Sequence, residues 1–301
     1  MIVCFDIGGS AIKWAEAHAP DDIRPVGRVP TPLDDFDAFV AALEHALAAT
    51  RAAKGIAISV TGVVDSDTGR IKCANIPSID GRTLAADLEA RLDRPVLIAN
   101  DADCFALAEA GAGAGRGHRI VFGAILGTGV GGGLVIDGHI LEGAGGFAGE
   151  WGHAPIAATM AGTPPVAIPR YPCGCGLAGC LDTVGAARGI ERLHHHLHGA
   201  SLASTEIIAA WEGGDAAAER TVDCFTDLVA SPLALVINVV GAAIVPVGGG
   251  LSNSPALVAR LDTLVRARIL RKTTAPLVVP GQCRVEPGLI GAGILGLTEL
   301  R

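Results

Sequence analysis

Aromatic side chains are scarce in this chain of 301 residues, where they make up 4% of the sequence. Half of the residues are hydrophobic, so aliphatic side chains and alanine must fill the core. Basic clusters are missing too: 23 Lys and Arg stand against 31 Asp and Glu, for a net charge of −8. Duplex nucleic acid is bound by clustered cations that neutralise phosphates, so the composition argues against a nucleic-acid partner.

Long apolar runs are also absent. No uninterrupted run reaches about 18 residues, the usual length of a membrane span. The N-terminus lacks a basic segment followed by an apolar run and a cleavage site. We therefore expect a cytoplasmic protein with no membrane partner.

Alternating strand and helix patterns with glycine-rich turns predict an α/β fold with a cleft between two lobes. The predicted strands cover 2–7, 11–17, 55–62, 95–101 and the start of 241–253. The predicted helices cover 36–50, 83–93, 184–198, 203–212, 216–240 and about 288–300, and one more begins after residue 101. The length allows one large or two ordinary domains.

One hairpin design occurs twice. Residues 2–17 read as strand, glycine turn and strand, and the segment from Ile120 to Ile140 repeats that order and ends in an Asp-Gly turn. The small, flexible and charged residues at 110–119 suit a linker. We therefore expect a first domain at 1–116 and a second at 117–287, with the C-terminal helix, about 288–301, packing back on the first.

The first glycine turn lies in FDIGGSAIKWAEA, residues 5–17. Glycine allows close approach of the backbone to a ligand, and successive N–H groups form a concavity that suits an anion. Asp6 is placed to face Mg²⁺, and the Ser10 hydroxyl to bond a phosphate oxygen. The alternative is an ordinary tight hairpin with a buried aspartate.

Two more glycine clusters follow. GTGVGGG, 127–133, contains G-x-G-x-x-G, but a dinucleotide fingerprint requires a helix after the turn, and GLVIDGHI reads as a strand and hairpin. A phosphate-binding hairpin is the better interpretation. GGGLSN, 248–253, follows a buried strand and forms either a tight helix entry or a flat surface for adenine and ribose. Neither of the first two turns contains a P-loop motif.

The eight cysteines divide into two groups. Five are scattered among apolar residues, as buried reduced thiols are: Cys4, Cys73, Cys104, Cys224 and Cys283. The other three lie in CGCGLAGC, 173–180, after EWGH at 150–153. With an imidazole they would complete a closed, structural Cys₃His zinc site, for which His153 is the first candidate. A disulfide would leave one cysteine over, and the HHHLH run at 194–198 competes as a histidine source but reads as a mostly solvated face.

Asn100 and Asp101 stand at the C-terminal tip of a predicted strand, where α/β proteins place ligands. An aspartate there can accept a proton from a substrate hydroxyl. The alternative is that the pair only caps the following helix.

Together these motifs resemble the ROK family of bacterial sugar kinases. DIGGS, NDADCFALAE, LGTGVGGG, GEWGH, CGCGLAGC and VGGGLSN occur in that family's order, and the resemblance covers essentially the whole chain. It implies an actin-like, ribonuclease-H-like two-domain kinase, usually a homodimer, in which ATP·Mg²⁺ and the sugar meet in the interdomain cleft. The chain opens directly on the kinase hairpin, so we expect none of the DNA-binding helices of the repressor members.

The resemblance also implies a function and its residues. The sequence is most similar to the family's N-acetyl-D-glucosamine kinases, which implies phosphorylation of the sugar 6-hydroxyl with Asp101 as general base. Sugar contacts are expected from Gly62, Asn100, Asp101, Glu150, His153 and Asp182. ATP contacts are expected from Asp6, Gly8, Gly9, Ser10, Gly127, Thr128, Gly129, Gly131, Gly132, Gly133, Gly248, Gly249 and Gly250. Structural Zn²⁺ is expected at His153, Cys173, Cys175 and Cys180.

Three positions depart from the family pattern. Ser10-Ala11 replaces Thr-Lys, although the hydroxyl is kept and Lys13 follows. Asp182 stands where the family has a glutamate sugar ligand, one methylene longer. Residues 59–62, SVTG, replace a Pro-Gly turn.

Several rival functions stay open. A glucokinase or an N-acetylmannosamine kinase would share these motifs. A sugar-binding regulator that has lost catalysis is more remote, and an NAD-dependent oxidoreductase would rest on the G-x-G-x-x-G alone.

Overall fold

Two five-stranded sheets with the same strand arrangement organise the chain. The computed structural model describes residues 1–48, 50 and 53–300. The first sheet has the order β3-β2-β1-β4-β7 and the second the order β10-β9-β8-β13-β14. In each, an antiparallel meander of three strands is extended by two later parallel strands. The predicted repetition of one hairpin design is thereby confirmed.

The strands range from two to nine residues, and β1, β4 and β13 are the most buried. Their bounds are β1 Ile2–Ile7, β2 Ala11–Ala19, β3 Asp22–Pro30, β4 Ile56–Val60, β5 Val63–Val64, β6 Ile71–Lys72, β7 Val96–Asn100, β8 Ile120–Leu126, β9 Val130–Ile136, β10 His139–Ile140, β11 Met160–Ala161, β12 Val166–Ala167, β13 Val245–Gly248 and β14 Val278–Pro280.

Eight α-helices lie within the described residues. They are α1 Phe36–Ala48, α2 Leu84–Leu92, α3 Asp101–Gly111, α4 Ala187–His198, α5 Ser204–Glu212, α6 Ala216–Val240, α7 Pro255–Arg268 and α8 Pro287–Glu299. Short 3₁₀ helices cover Ala144–Gly146, Leu181–Thr183 and Gly250–Asn253.

The chain divides into two compact units. Unit 1 comprises 1–119, 133–148 and 282–301, and unit 2 comprises 120–132 and 149–281. The predicted boundaries, 116/117 and 287/288, lie within six residues of the divisions after 119 and after 281, but residues 133–148, which were predicted for the second domain, belong to unit 1. That the units fold as separate domains stays a prediction.

Strand β1 lies at the centre of unit 1 because both of its faces are apolar. Side chains alternate across a strand. Val3 and Phe5 pack in one core cluster with residues of α1 and α2, whereas Ile2 and Cys4 pack in another with residues of α3 and α8. This arrangement fixes the β1–β2 turn and the carboxyl ends of β4 and β7.

The long helix α6 forms much of the core of unit 2. Its buried residues include Phe225, Leu228 and Leu233. Among the described residues it is the one helix long and apolar enough to cross a membrane, but most of its apolar stretch is buried, as in the core helix of a folded domain. Ser231 and Asn238, as well as Asp223 and Asp227, interrupt its apolar residues, so the sequence shows no uninterrupted apolar run of about 18 residues.

The predicted elements are confirmed apart from shifts at their ends. The helix predicted at 36–50 ends at Ala48, and residue 49 lies outside the described residues. Sequence analysis missed β3, an edge strand that contains Pro25. An edge strand tolerates the missing N–H of proline. It also missed β14 and α7, although Ser254 caps α7 and Pro255 opens it, which is a recognised start signal.

Close approach of α8 to α3 depends on Gly291. A Cβ at this position would overlap the backbone oxygen of Cys104, and backbone cannot move aside as a flexible side chain can. We predict that Gly291→Ala destabilises the protein by about 1–3 kcal/mol. Thermal unfolding measures the effect.

Gly213→Ala is the matched control. Gly213 has helical φ and ψ, and its added Cβ would meet only ordinary contacts at 3.4 Å. Equal melting temperatures for the two variants would contradict the packing argument.

Candidate active site and metal centre

The β1–β2 turn carries glycines that the fold itself does not require. A Cβ at Gly8 would meet no heavy atom of the described residues within 4 Å, and one at Gly9 would lie 3.4 Å from the Asn75 carbonyl oxygen. Neither has a left-handed φ. The turn is closed by the Gly8 N–H donating to the Ala11 carbonyl, and Thr31 Oγ1 donates to the Gly8 carbonyl over 2.6 Å. A fixed backbone with open space beside it suits a ligand that approaches closely.

Asp6 lies beneath this turn in a charged cluster of unit 1. Ser59 Oγ donates to Asp6 Oδ1 over 3.1 Å, and Lys13 Nζ lies 3.9 Å from Oδ2. Burial raises the pKa of Asp6, and the Ser59 hydrogen bond and Lys13 partly offset that rise. The first turn of α8 also meets the carboxylate, because a Cβ at Gly288 would overlap Asp6 Oδ1. A carboxylate so placed can serve a cation.

Asn100 links the ends of two neighbouring strands. Its Oδ1 accepts from the Ala102 N–H over 2.7 Å, which caps α3, and its Nδ2 donates to the Gly62 carbonyl over 2.8 Å. Capping by Asn100 is therefore real, as the alternative interpretation held. Asp101 follows as the first residue of α3. Gly62 needs to be glycine because its φ is +147° and a Cβ would lie 2.7 Å from the Lys72 carbonyl oxygen.

The glycine turn of unit 2, residues 127–129, joins β8 to β9. A strand follows it, not a helix, so the context of a dinucleotide fingerprint is missing. A Cβ at Gly127 would meet only ordinary contacts, from 3.6 Å outward. Thr128 is exposed at the tip. The Gly127 N–H donates to the Gly129 carbonyl over 3.0 Å, which closes the turn.

Packing explains the next two glycines. A Cβ at Gly132 would lie 2.8 Å from Phe122 Cζ and 2.9 Å from Trp151 Cδ1. One at Gly133 would lie 2.8 Å from the backbone oxygen of Ala102 in α3. Their predicted place around the phosphates stays a prediction, as does that of Gly131, whose carbonyl accepts from Trp151 Nε1 over 2.7 Å.

Glu150 and His153 face each other in unit 2. His153 Nε2 lies 3.7 Å from Glu150 Oε2. Burial raises the pKa of Glu150, and the charge of His153 opposes that rise. The other ring nitrogen of His153, Nδ1, lies 3.6 Å from Cys173 Sγ. One imidazole therefore connects the carboxylate to the cysteine loop.

The cysteine loop brings four ligand atoms together. Those of His153, Cys173, Cys175 and Cys180 all lie within 4.8 Å of one another. Cys175 Sγ is 3.6 Å from Cys180 Sγ. Zn–S bonds of about 2.3 Å and Zn–N bonds of about 2.0–2.1 Å in a tetrahedron put ligand atoms about 3.5–3.8 Å apart, so the residues fit such an ion.

The remaining cysteines and histidines lie apart from this cluster. Four of the other five cysteines are buried free thiols, and Cys283 is half-buried. His195, His196 and His198 are exposed, as expected. His194 is not: it is buried, and its Nδ1 lies 2.9 Å from Thr221 Oγ1. The run is thus a mostly solvated face, as predicted, and His194 is its buried member.

Asp182 lies against the glycine turn of unit 2. Its Oδ1 accepts from the Val130 N–H over 2.7 Å, and its Oδ2 lies 3.9 Å from Cys173 Sγ. Sequence analysis placed this residue with the sugar and did not foresee the bond to Val130.

The third glycine cluster packs beside the same turn. Gly249 has φ +84°, and a Cβ there would lie 2.5 Å from the backbone of Leu126. At Gly250 a Cβ would meet no described atom within 4 Å. Gly248 ends the buried strand β13. Gly249 is thus required by the fold, whereas Gly250 borders open space.

Sequence analysis noted Lys13 but missed its partner Glu286, and it also missed Trp151. Lys13 pairs with Glu286 over 2.7 Å, 273 positions away, and such a distance leaves no local signal. Trp151 braces the unit 2 turn, and its place beside Glu150 in a chain with three tryptophans could have drawn attention to it.

Comparison with known proteins places the chain in a family. A sequence model of the ROK family matches residues 2–299. An N-acetyl-D-glucosamine kinase of Shigella flexneri serotype 5b (strain 8401) is 36% identical over 98% of this chain and 99% of its own.

Solved structures agree with this assignment. A putative N-acetylmannosamine kinase of Listeria monocytogenes superposes with a TM-score of 0.80 at 28% identity, over 100% of this chain and 99% of that one. A ROK family glucokinase of Streptomyces griseus, in complex with glucose and AMPPNP, has a TM-score of 0.72 at 25% identity over 98% of both chains. The predicted actin-like α/β sugar-kinase fold is confirmed, and this chain belongs to the ROK family.

Proposed function

We propose that this protein transfers the γ-phosphoryl group of ATP to the 6-hydroxyl of an amino sugar, with N-acetyl-D-glucosamine as the first candidate. The observation that carries the proposal is the 36% identity, over 98% of the chain, to a relative with that activity in its name. The glycines left unexplained by the fold support it, since ATP supplies the anion that such turns hold.

The nucleotide is assigned to the glycine turns. The amides of Gly9 and Ser10 and those of Thr128 and Gly129 bind phosphate oxygens, while the Gly8 and Gly127 amides close the two turns beside them. Gly248–Gly250 lie by the adenosine. Mg²⁺ bound to ATP neutralises charge on the phosphates. Asp6, with Lys13 3.9 Å away, is the carboxylate that would serve this cation.

The sugar is assigned to the second group of side chains. Glu150 and His153 form hydrogen bonds with its hydroxyls. Asn100 fixes the loop at Gly62 by donating to the Gly62 carbonyl. The resemblance predicted Asp182 as a further sugar ligand, but we do not assign it to the sugar, because its Oδ1 accepts from the Val130 N–H over 2.7 Å.

Asp101 acts as the general base. Its carboxylate accepts the proton of the 6-hydroxyl while that oxygen attacks the γ-phosphorus in line, and ADP leaves with the electrons of the broken P–O bond. Phosphoryl transfer depends mainly on positioning and charge stabilisation. Asn100 contributes to positioning, because its Oδ1 accepts from the Ala102 N–H and so fixes the start of α3, where Asp101 lies.

Zinc is assigned to His153, Cys173, Cys175 and Cys180. Four protein ligands leave no open position, so the ion would hold the loop and supply no reactive water. Its ligand His153 would keep Nε2 toward Glu150.

Three further assignments rest on the resemblance to the family. We propose that the protein is a homodimer, that it is cytoplasmic, and that the two units are its two domains.

We predict that Asp101→Asn lowers kcat by about 10²–10⁴-fold, because the amide cannot accept the proton in the transition state. Binding of the sugar stays measurable by calorimetry. Asp93→Asn is the control: Asp93 is exposed and its φ of 51° is one that asparagine tolerates. Turnover of the Asp101 variant near that of the wild type would remove Asp101 from the base role.

A coupled assay with ATP over a panel of sugars identifies the substrate. The proposal expects the highest kcat/KM for N-acetyl-D-glucosamine. A preference for glucose or N-acetylmannosamine would favour the activities named for the structural neighbours. No turnover of ATP with any sugar would favour a non-catalytic regulator.

Metal analysis of the purified protein tests the zinc assignment. We predict about one zinc ion per chain, and its loss in Cys180→Ser, since thiolate ligands hold a structural site. Cys224→Ser is the control, because this thiol lies outside the cluster, 3.6 Å from the Ala161 carbonyl oxygen. Folded, active protein without zinc would defeat the assignment.

A further inference from the structure

Asp182 is held by bonds that have nothing to do with a sugar. It lies in the 3₁₀ helix Leu181–Thr183, two residues after Cys180. Its own N–H donates to the Gly152 carbonyl over 2.9 Å, which ties it to the EWGH segment. Its Oδ1 accepts from the Val130 N–H over 2.7 Å, at the first residue after the glycine turn.

Gly129 shows that the turn is shaped around this carboxylate. A Cβ at Gly129 would lie 2.7 Å from Asp182 Oδ1, and among the described residues the only atoms it would meet within 4 Å belong to Asp182. Its φ is not left-handed. The carboxylate is therefore the neighbour that excludes a side chain at position 129.

The segment that begins at Asp182 also bonds the other end of the glycine turn. The Ala187 N–H, at the start of α4, donates to the Gly127 carbonyl over 2.9 Å. Residues 182–187 thus bond both Gly127 and Val130, the two positions where the strands enter and leave the turn. Trp151 Nε1 adds a third bond, to the Gly131 carbonyl.

We propose that Asp182 is a positioning residue for the nucleotide: its carboxylate fixes the glycine turn in the form whose amides bind the ATP phosphates. The kinetic part rests on the proposed kinase function. The Asp182 carboxylate, one methylene shorter than the family's glutamate, contacts the turn directly. Loss of Asp182 therefore weakens the binding of ATP and leaves the binding of the sugar unchanged.

Steady-state kinetics of the full, metal-loaded chain test this with two substitutions. Asp182→Ala removes the acceptor, and its KM for ATP rises by about tenfold, the loss of one charge-assisted hydrogen bond. Its KM for the sugar stays within about twofold of the wild type. Asp182→Asn keeps an oxygen that accepts from Val130, so its KM for ATP lies between those of wild type and alanine variant. Zinc content, measured on each variant, confirms that the loop is intact.

A rise confined to the sugar KM would overturn the proposal and restore Asp182 to the sugar, and no change in either KM would also overturn it. Hydrogen–deuterium exchange without ligand distinguishes failure of the positioning role from failure of the proposed kinase function. Faster exchange of residues 126–131 in Asp182→Ala supports the positioning role even if the wild type phosphorylates no sugar, and unchanged exchange defeats it.

Gly129→Ala provides an alternative test of the positioning role if the Asp182 variants do not fold. It displaces the carboxylate without removing it, so exchange of the same segment speeds up. Unchanged exchange in this variant would also defeat the proposal.

Discussion

Backbone N–H groups can hold an anion only when no side chain covers them and the chain around them is fixed. Each of the two glycine turns of this protein combines an uncovered glycine with a fixed backbone. A Cβ at Gly8 or Gly127 would clash with none of the described atoms, so these positions leave space that the fold does not use. The turns themselves are tied down: Thr31 bonds the Gly8 carbonyl, and Asp182 bonds the Val130 amide. The proposed use of ATP depends on this combination of open space and restraint.

The restraint on the second turn has a consequence for the metal loop. Asp182 follows Cys180 by two residues, Trp151 lies between Glu150 and His153, and both side chains bond to the segment after Gly129. The cysteine loop, the EWGH segment and the glycine turn are therefore one hydrogen-bonded assembly within unit 2. A structural ion bound there would stabilise the nucleotide turn as well as the side chains assigned to the sugar.

Sequence reasoning reached the parts of this picture that have local signals. Period-2 patterns around glycines predicted both hairpins, and three cysteines within eight residues predicted the cluster with His153. It could not reach contacts made by packing between distant segments. Lys13 and Glu286 meet because α8 packs near β2, and Gly288 matters because α8 begins against Asp6. The bond from the Val130 N–H to Asp182 joins positions 52 residues apart. Glycines chosen for packing, such as Gly132, also cannot be told from glycines open to a ligand until their neighbours are known.

A crystal structure of the full chain with Mg²⁺ and a non-hydrolysable ATP analogue tests the central claim most directly. The account predicts that phosphate oxygens accept hydrogen bonds from the backbone amides of residues 128 and 129, with the Val130–Asp182 bond of 2.7 Å retained. An analogue bound with its phosphates away from that turn, and the turn left bare, would contradict it.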